Sequence, residues 1–556
     1  MDRLRETEVE LGKLKRMDAD LALENRALKD LLEKNFREAG ETGSDQVHGR
    51  DPRIVDLAEL SQGYRRSGRT TGLVVFPFNK PALTISNSRT LRLQSADLKH
   101  YNQPMSDLAF YPRYIERRLI EALEDSPVVL IQGPRQCGKT TLAHMVCAPQ
   151  HLTGIGDRLN RGGHPPNVLT AHTRDYTYIS FDDDVARDGA EADPMGFVAG
   201  LPERVILDEI QRVPALFTAL KMEVDRQRVP GRFVLTGSTN VLRVPTIQDS
   251  LAGRLEVVRL HPLAQDEIAG QSPPVVNVRQ SSGFLDALFG SGFKIQRTER
   301  LGTPLCDRIV AGGYPAALAR PPGRRRANWY RNYLDAQIQR DVRNLARIST
   351  LEALPRLLAL AAAQTAHLLN VSDLAAPFQL SRPTVQDYVA LLERVFLLER
   401  LSPWHSNRLS RLVKTPKLHI GDTGLACALL GVDAAALAAD RTLLGQLLET
   451  FVFQELRRQA SWHEESFTFF HYRDRDKMEV DVVIERGTQA VAGMEVKAGA
   501  TVTQADLRGL RKLKAATGRR FAGGAVVYDG ETCVRYDDKL YAVPLRLLWE
   551  TPVGAP

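Results

Sequence analysis

The chain has 556 residues, 43% hydrophobic and 25% charged, with a net charge of +7; it exceeds one compact core, so about three to four domains are expected and a disordered chain is excluded. Its five cysteines (137, 147, 306, 427 and 533) are odd in number and lack CxxC spacing, which argues for a reducing, cytoplasmic setting and against a disulfide framework or zinc site. No apolar run reaches the ~18 residues of a membrane span, the N-terminus is charged rather than signal-like, and the charge permits nucleic-acid binding without demanding it.

Residues 1–36 place Leu4, Leu11, Asp18, Asn25 and Leu32 at one heptad position and Thr7, Leu14, Leu21 and Leu28 at the other. The pattern predicts a coiled-coil helix forming a short parallel dimer, or, given Asp18 in the seam, a solitary charged helix. Residues 37–104 are a low-order linker with one apolar island at 72–77. A new unit opens at Met105. From 112 to about 262, apolar strands alternate with helical patterns, which predicts an α/β fold with a mostly parallel sheet. Ile120 and Leu123 mark the apolar face of its entry helix.

Within that unit, the buried-type run 128–131 leads into GPRQCGKTT and then an apolar helical pattern. Strand, glycine-rich loop and helix are the context of a P-loop NTPase. Its binding set is Gly133, Pro134, Arg135, Gln136, Cys137, Gly138, Lys139, Thr140 and Thr141. Backbone N–H groups cradle phosphate oxygens, Lys139 reaches the β- and γ-phosphates, and the Thr140 hydroxyl ligates Mg²⁺. A second strand, RVILDE, ends in Asp208 and Glu209. There Asp208 suits the metal of a Mg²⁺–ATP site and Glu209 the attacking water. A third strand delivers GSTN, where Ser238 and Asn240 are candidates to sense the γ-phosphate between the two motifs, or simply cap a helix. Arg254, in SLAGR, is either an arginine finger acting in cis or on a neighbouring subunit, or a surface Arg.

Residues 152–176 look like a surface insertion, and 269–284 like the exit from the core. A helical region spans 285–366, with Arg324, Arg325 and Arg326 before a helix that interleaves Trp329, Tyr330, Arg331, Tyr333 and Arg340. That pattern fits a nucleic-acid surface or a solvated basic face over a packed Trp. Residues 367–420 form a winged-helix-like module: a short helix, a turn, and a helix capped by Ser381 with Pro383 in its first turn. A third apolar helix is expected to end at Leu398, with a wing running to Lys417. Arg382, Thr384 and Gln386 would face DNA, or the module would only pack.

Residues 421–556 form the last domain. Glu449 is expected on an amphipathic helix, Asp481 on a strand, and Glu495 and Lys497 on one face of the next strand. This is the D…ExK order of a metal nuclease: Asp481 and Glu495 gather Mg²⁺, Lys497 positions water, and Glu449 completes the site. A degenerate site retained for binding is the alternative.

GPRQCGKTTL, YISFDDD, LDEIQRVP, LTGSTN and SLAGR together resemble a prokaryotic family of AAA-type ATPases with a C-terminal restriction-endonuclease-like domain. The similarity runs from about residue 111 nearly to the C-terminus, through GGYP at 312–315, residues 329–341 and KLHIGDTG at 417–424. It implies an AAA-type core at 105–268, ATP and Mg²⁺ as ligands, and a possible homo-oligomer; DNA is the expected partner. Cys137 departs from the aliphatic residue usual in such loops, which suggests oxidation sensitivity. Residues 14–35 resemble the zipper of insertion-sequence transposase subunits, without the helix-turn-helix that precedes it there, so 1–104 reads as a chimeric remnant or a dimerising arm.

Overall fold

The computed structural model describes residues 111–147, 176–239, 251, 253–270, 283–342, 353–407, 411, 415–474 and 476–550. The coiled-coil and linker expectations for 1–104 lie outside the described residues, as do all but the last residue of the insertion at 152–176 and most of the exit segment. The chain divides at Gln103–Pro104, and only the second unit is described.

The first layer is a five-stranded, all-parallel sheet in the order β2-β3-β4-β1-β5. Its strands are β1 (Val128–Gln132), β2 (Thr177–Ser180), β3 (Val205–Asp208), β4 (Phe233–Gly237) and β5 (Leu255–Arg259). β1, β3 and β4 are buried at every residue, as a sheet covered on both faces requires. Helices α1 (Glu116–Asp125) and α2 (Lys139–Cys147) cover one face, where Leu119, Leu142, Ile131 and Val234 share a core. Helix α3 (Leu216–Arg226) covers the other, where Phe217 and Leu220 meet Leu130 and Leu235.

The next region is built on α4 (Arg324–Ala336) and α5 (Ala353–Ala363). Trp329, Tyr330 and Tyr333 of α4 are buried around Tyr314, with Trp329 stacked on Tyr333 at 5.2 Å between ring centroids. The aromatic rings of this helix are therefore core; Arg324, Arg325 and Arg331 are exposed, while Arg326 donates to the Ala317, Leu318 and Arg320 carbonyls. A small antiparallel sheet, β6 (His367–Leu368), β8 (Lys417–Ile420) and β7 (Leu398–Leu401), in that order, surrounds α6 (Val371–Ala375) and α7 (Arg382–Arg394). Ser381 caps α7, its hydroxyl accepting from Thr384 N–H at 3.3 Å.

Two expectations for this module fail. There is no third helix ending at Leu398: α7 runs unbroken to Arg394, and residues 398–401 are strand because they pair antiparallel with β8, Leu398 opposite Ile420 and Leu401 opposite Lys417. Nor do the described residues between β7 and β8 project as a wing. Pro403 bridges to His471, Trp404 is buried, and Arg411 donates to both Glu485 oxygens at 2.8 and 2.9 Å, pinning the segment to the last domain.

That domain contains α8 (Thr423–Leu430), α9 (Arg441–Trp462) and a six-stranded sheet in the order β13-β14-β12-β11-β10-β9. β9 (Phe467–Arg473), β10 (Glu479–Arg486) and β11 (Ala490–Lys497) form an antiparallel meander. Helix α10 (Arg508–Thr517) then crosses to β12 (Phe521–Tyr528), parallel to β11, while β13 (Val534–Asp537) and β14 (Leu540–Pro544) extend the edge. Helix α9 is buried nearly all round, including Leu447, Thr450, Phe453 and Gln454, so it is a central helix rather than the amphipathic one expected. One hydrophobic core runs without a break from Phe284 through Leu418 and Phe453 to Trp549.

Candidate functional site

The GPRQCGKTT loop joins the C-terminal end of β1 to the N-terminus of α2, where unpaired N–H groups and the helix dipole favour an anion. Two glycines are required there. A Cβ on Gly133 would sit 2.0 Å from the Leu260 carbonyl oxygen, and Gly138 has φ +100°. The Lys139 ammonium, 4% exposed, folds back to donate to the Pro134 carbonyl at 3.0 Å, bridging the loop it belongs to. Cys137 faces inward, its Sγ 3.6 Å from the Leu260 oxygen. Burial pushes its thiol up, against the Lys139 and Arg113 charges. A buried thiol of raised pKa resists oxidation, so the expected sensitivity is not supported.

β4 lies between β1 and β3, bringing the second and third motifs to the same edge. Thr140 donates to Asp208 Oδ1 at 2.9 Å, Thr236 to the same oxygen at 2.5 Å, and Tyr178 to Oδ2 at 2.8 Å. Burial and the Asp208 charge push the Tyr178 phenol well up, keeping it a donor. Glu209 has left-handed backbone, φ 57°. Its N–H donates to Thr236 Oγ1 at 3.1 Å, and its Oε2 accepts from Ser238 at 2.9 Å and from Gln211. The Thr140 hydroxyl and Asp208 carboxylate form an all-oxygen pair suited to Mg²⁺, beside a loop and ammonium suited to phosphates. These residues therefore fit Mg²⁺–ATP. Ser238 touches Glu209, whereas Asn240 lies outside the described residues. Arg254 stands apart. Its carbonyl accepts from Val128 N–H at the start of β1, about 13 Å of strand from the phosphate loop. Its guanidinium pairs with Asp225 at 2.5 Å. A contact with phosphate in cis is excluded by that placement.

In the last domain, pairing of Val482 with Met494 sets Asp481 beside Glu495 across β10 and β11. Glu449 reaches them from α9. At the centre is a cation that spacing did not reveal. Lys417 of β8, 2% exposed, brings its ammonium 2.7 Å from Glu449, 2.7 Å from Glu479 and 3.3 Å from Asp481. Asp481 Oδ2 accepts from Val496 N–H at 2.9 Å. Burial works against the Lys417 charge, but the three carboxylates outweigh it and hold the ammonium protonated. Burial pushes Glu449 up to about 8, with Asp481 adding and Lys417 opposing. Burial and the Asp481 charge raise Glu495. Burial also works to raise Asp481, yet Lys417 and the Glu495 hydrogen bond bring it below its usual value. Lys497 is the least enclosed of the set, 3.8 Å from Asp506 with 39% of its side chain exposed, though its charge still lowers Asp481 and Glu495.

Residues 125–269 match the AAA domain. They are an AAA-type ATP-binding domain. Two further stretches, 303–436 and 444–548, match domains of unknown function, DUF8612 and DUF4143. The chain is 28% identical over 429 residues to the uncharacterized proteins Mb2031c of Mycobacterium bovis and Rv2008c of Mycobacterium tuberculosis, covering 77% of itself and 82% of each. Among solved structures, the Walker-type ATPase of Pyrococcus abyssi aligns over 58% of this chain and 99% of its own, at 16% identity and TM-score 0.30. McrB AAA+ hexamers with bound McrC from Thermococcus gammatolerans align over 52% and 74%, at 12% and 0.16. Among the described residues, no helix is long and apolar enough to cross a membrane.

The AAA domain is wired to the C-terminal half of the chain. Arg113 donates to the Cys137 carbonyl of the phosphate loop at 2.8 Å, to the His261 carbonyl at 2.7 Å and to Glu267 at 3.1 Å. Two residues before Glu267, Gln265 N–H donates to Glu455 of α9 at 3.0 Å. Arg458 lies between Glu455, at 3.4 Å, and Asp422, at 3.6 Å, and Asp422 in turn accepts from Gly313 N–H at 2.8 Å. Sequence reading missed Arg113, Tyr178, Gln211, Thr236 and Lys417. Tyr178 and Thr236 had a signal, being polar positions near the C-terminal ends of strands in a parallel sheet. Lys417 had a weaker one, a charge opening an apolar strand.

Proposed function

We propose that this protein is a Mg²⁺-dependent ATPase that works as a nucleotide switch on or with DNA. The observation that carries the reading is the meeting of Thr140, Asp208, Glu209 and Ser238 at the mouth of the phosphate loop. Thr140 and Asp208 would hold Mg²⁺, which would offset the phosphate charge when bound. Lys139 exchanges the Pro134 carbonyl for phosphate oxygens. Glu209, oriented by Ser238 and Gln211, accepts the proton of the attacking water. A change in the loop then reaches Glu267 through Arg113, and α9 through the adjacent Gln265. Arg254 is remote from its own loop and could serve only a neighbouring copy. The DNA part rests on α6, α7 and the β6–β8 sheet, with Arg382 and Gln386 exposed at the start of α7 and Thr384 partly so.

The test is steady-state ATP hydrolysis by the full chain with and without duplex DNA, beside Lys139→Ala and Glu209→Gln. DNA-stimulated turnover lost in both variants supports the proposal. ATP binding without turnover would instead make it a non-hydrolysing, ATP-gated binding protein. A second reading, an ATP-licensed metal-dependent nuclease with the restriction-endonuclease-like fold, is favoured by the convergence of Glu449, Asp481 and Glu495. The cation already among them weighs against it.

A further inference from the structure

We infer that Lys417 takes the place of a divalent metal in the carboxylate cluster of the last domain. On this inference the domain is a metal-independent platform that holds the β6–β8 module, not a nuclease centre. The inference is independent of the ATPase reading. It rests on three observations.

First, an ammonium has three hydrogen-bond donors and no acceptor, and here Glu449, Glu479 and Asp481 engage it at 2.7, 2.7 and 3.3 Å. Its donors are fully used, and the carboxylates a metal would recruit are turned towards it. A divalent ion seated on Asp481 would lie beside a fixed positive charge in a water-poor site. Second, other members of the nuclease-like set also have partners within the protein. Asp481 Oδ2 accepts from Val496 N–H, Glu495 is buried against Asp481, and Lys497, the residue that would position water, is drawn to Asp506. Among the described residues, no group of three or more His, Cys, Asp or Glu is arranged to hold a metal ion. Third, Lys417 cannot swing out as a gate. Its strand is buried at every residue and paired on both edges, by β6 and β7. Leu418 and Ile420 share one core with Val482, Ile484 and Met494 from the sheet that carries Asp481 and Glu495. Withdrawing the lysine means opening that core.

The experiment is a Mn²⁺ titration of the nucleotide-free full chain followed by electron paramagnetic resonance, beside thermal melting. Wild type and Asp481→Asn should bind Mn²⁺ alike. Lys417→Met should melt lower, gain a Mn²⁺ site, and recover melting temperature as Mn²⁺ is added; adding Asp481→Asn should abolish both the site and the recovery. Mn²⁺ uptake by wild type that Asp481→Asn removes would overturn the inference, and this arm decides even if Lys417→Met does not fold. A folded Lys417→Met that gains no Mn²⁺ site would overturn it equally.

Discussion

Two buried lysines, one on the phosphate loop's helix and one on the central strand of a small sheet, separate the two halves of this molecule. Lys139 is held by one neutral carbonyl in a loop of backbone donors, and Lys417 by three carboxylates. A phosphate can displace a carbonyl from an ammonium at small cost. Nothing comparable can displace three carboxyl groups, Asp481 among them held ionised, from a buried ammonium. One lysine is therefore poised for a ligand and the other is spent on structure, although both residues look alike by burial and neighbourhood.

The most forceful way to break this contrast is at the AAA domain. Glu209→Gln should lower kcat by on the order of 10²–10⁴ while ATP still binds, whereas Lys139→Ala should weaken ATP binding itself. Nucleotide binding and turnover measured side by side would show the difference, and neither change should lower the melting temperature much. At the second lysine the pattern should reverse. Lys417→Met leaves buried carboxylates unpaired, and denaturant unfolding should report a loss of about 3–5 kcal/mol with ATP affinity retained. If Lys417→Met instead leaves stability untouched, the lysine is not the structural cation argued for.

Acid should sharpen the same contrast at intermediate size. Burial first, and the Lys417 charge second, hold His471 down at about 4. The unfolded imidazole takes up a proton near pH 6.5 and the folded one does not. The His471 contribution is therefore full above about pH 6.5 and is lost as pH drops towards 4, by about 3 kcal/mol. His261 and His419, also lowered by burial first, push in the same direction. The buried carboxyls Glu449 and Glu495, raised by burial, pull the other way, so the histidine contribution is read as a difference: between pH 7 and 4, His471→Gln should lose less stability than wild type. The smallest effect belongs to Tyr178→Phe, which removes one of three donors to Asp208. It should cost about 1 kcal/mol in kcat/KM and leave ATP binding nearly intact.

The sequence disclosed the first site far better than the second, and chain distance explains why. Gly133, Gly138, Lys139 and Thr140 act through a loop contiguous in sequence, and Asp208 and Ser238 end strands of one parallel sheet, so local pattern sufficed. The partners of Lys417 come from α9 and β10, 32 and 64 residues away for Glu449 and Asp481, and no periodicity points at them. Spacing put Glu495 and Lys497 on one face, as pleating demands, but could not say that Asp506 draws Lys497 aside. Arg254 follows SLAG at a tempting distance from the phosphate motifs, yet which end of a strand it occupies is a matter of sheet geometry. The apolar run before Leu398 is the end of α7 and the turn after it, whereas Leu398 to Leu401 becomes strand only because β8, further along the chain, pairs with it.

The unbroken core from Phe284 to Trp549 has a practical consequence for anyone dividing this protein. Two of the matched domains meet between residues 436 and 444, where a cut looks natural. The boundary is one of sequence similarity and not a seam in the packing. A fragment ending there would strand the Lys417 ammonium without Glu449, Glu479 or Asp481 and strip Leu418 and Ile420 of their partners on β10 and β11. Expressed alone, each piece should aggregate, while the two produced together should reassemble into a soluble pair.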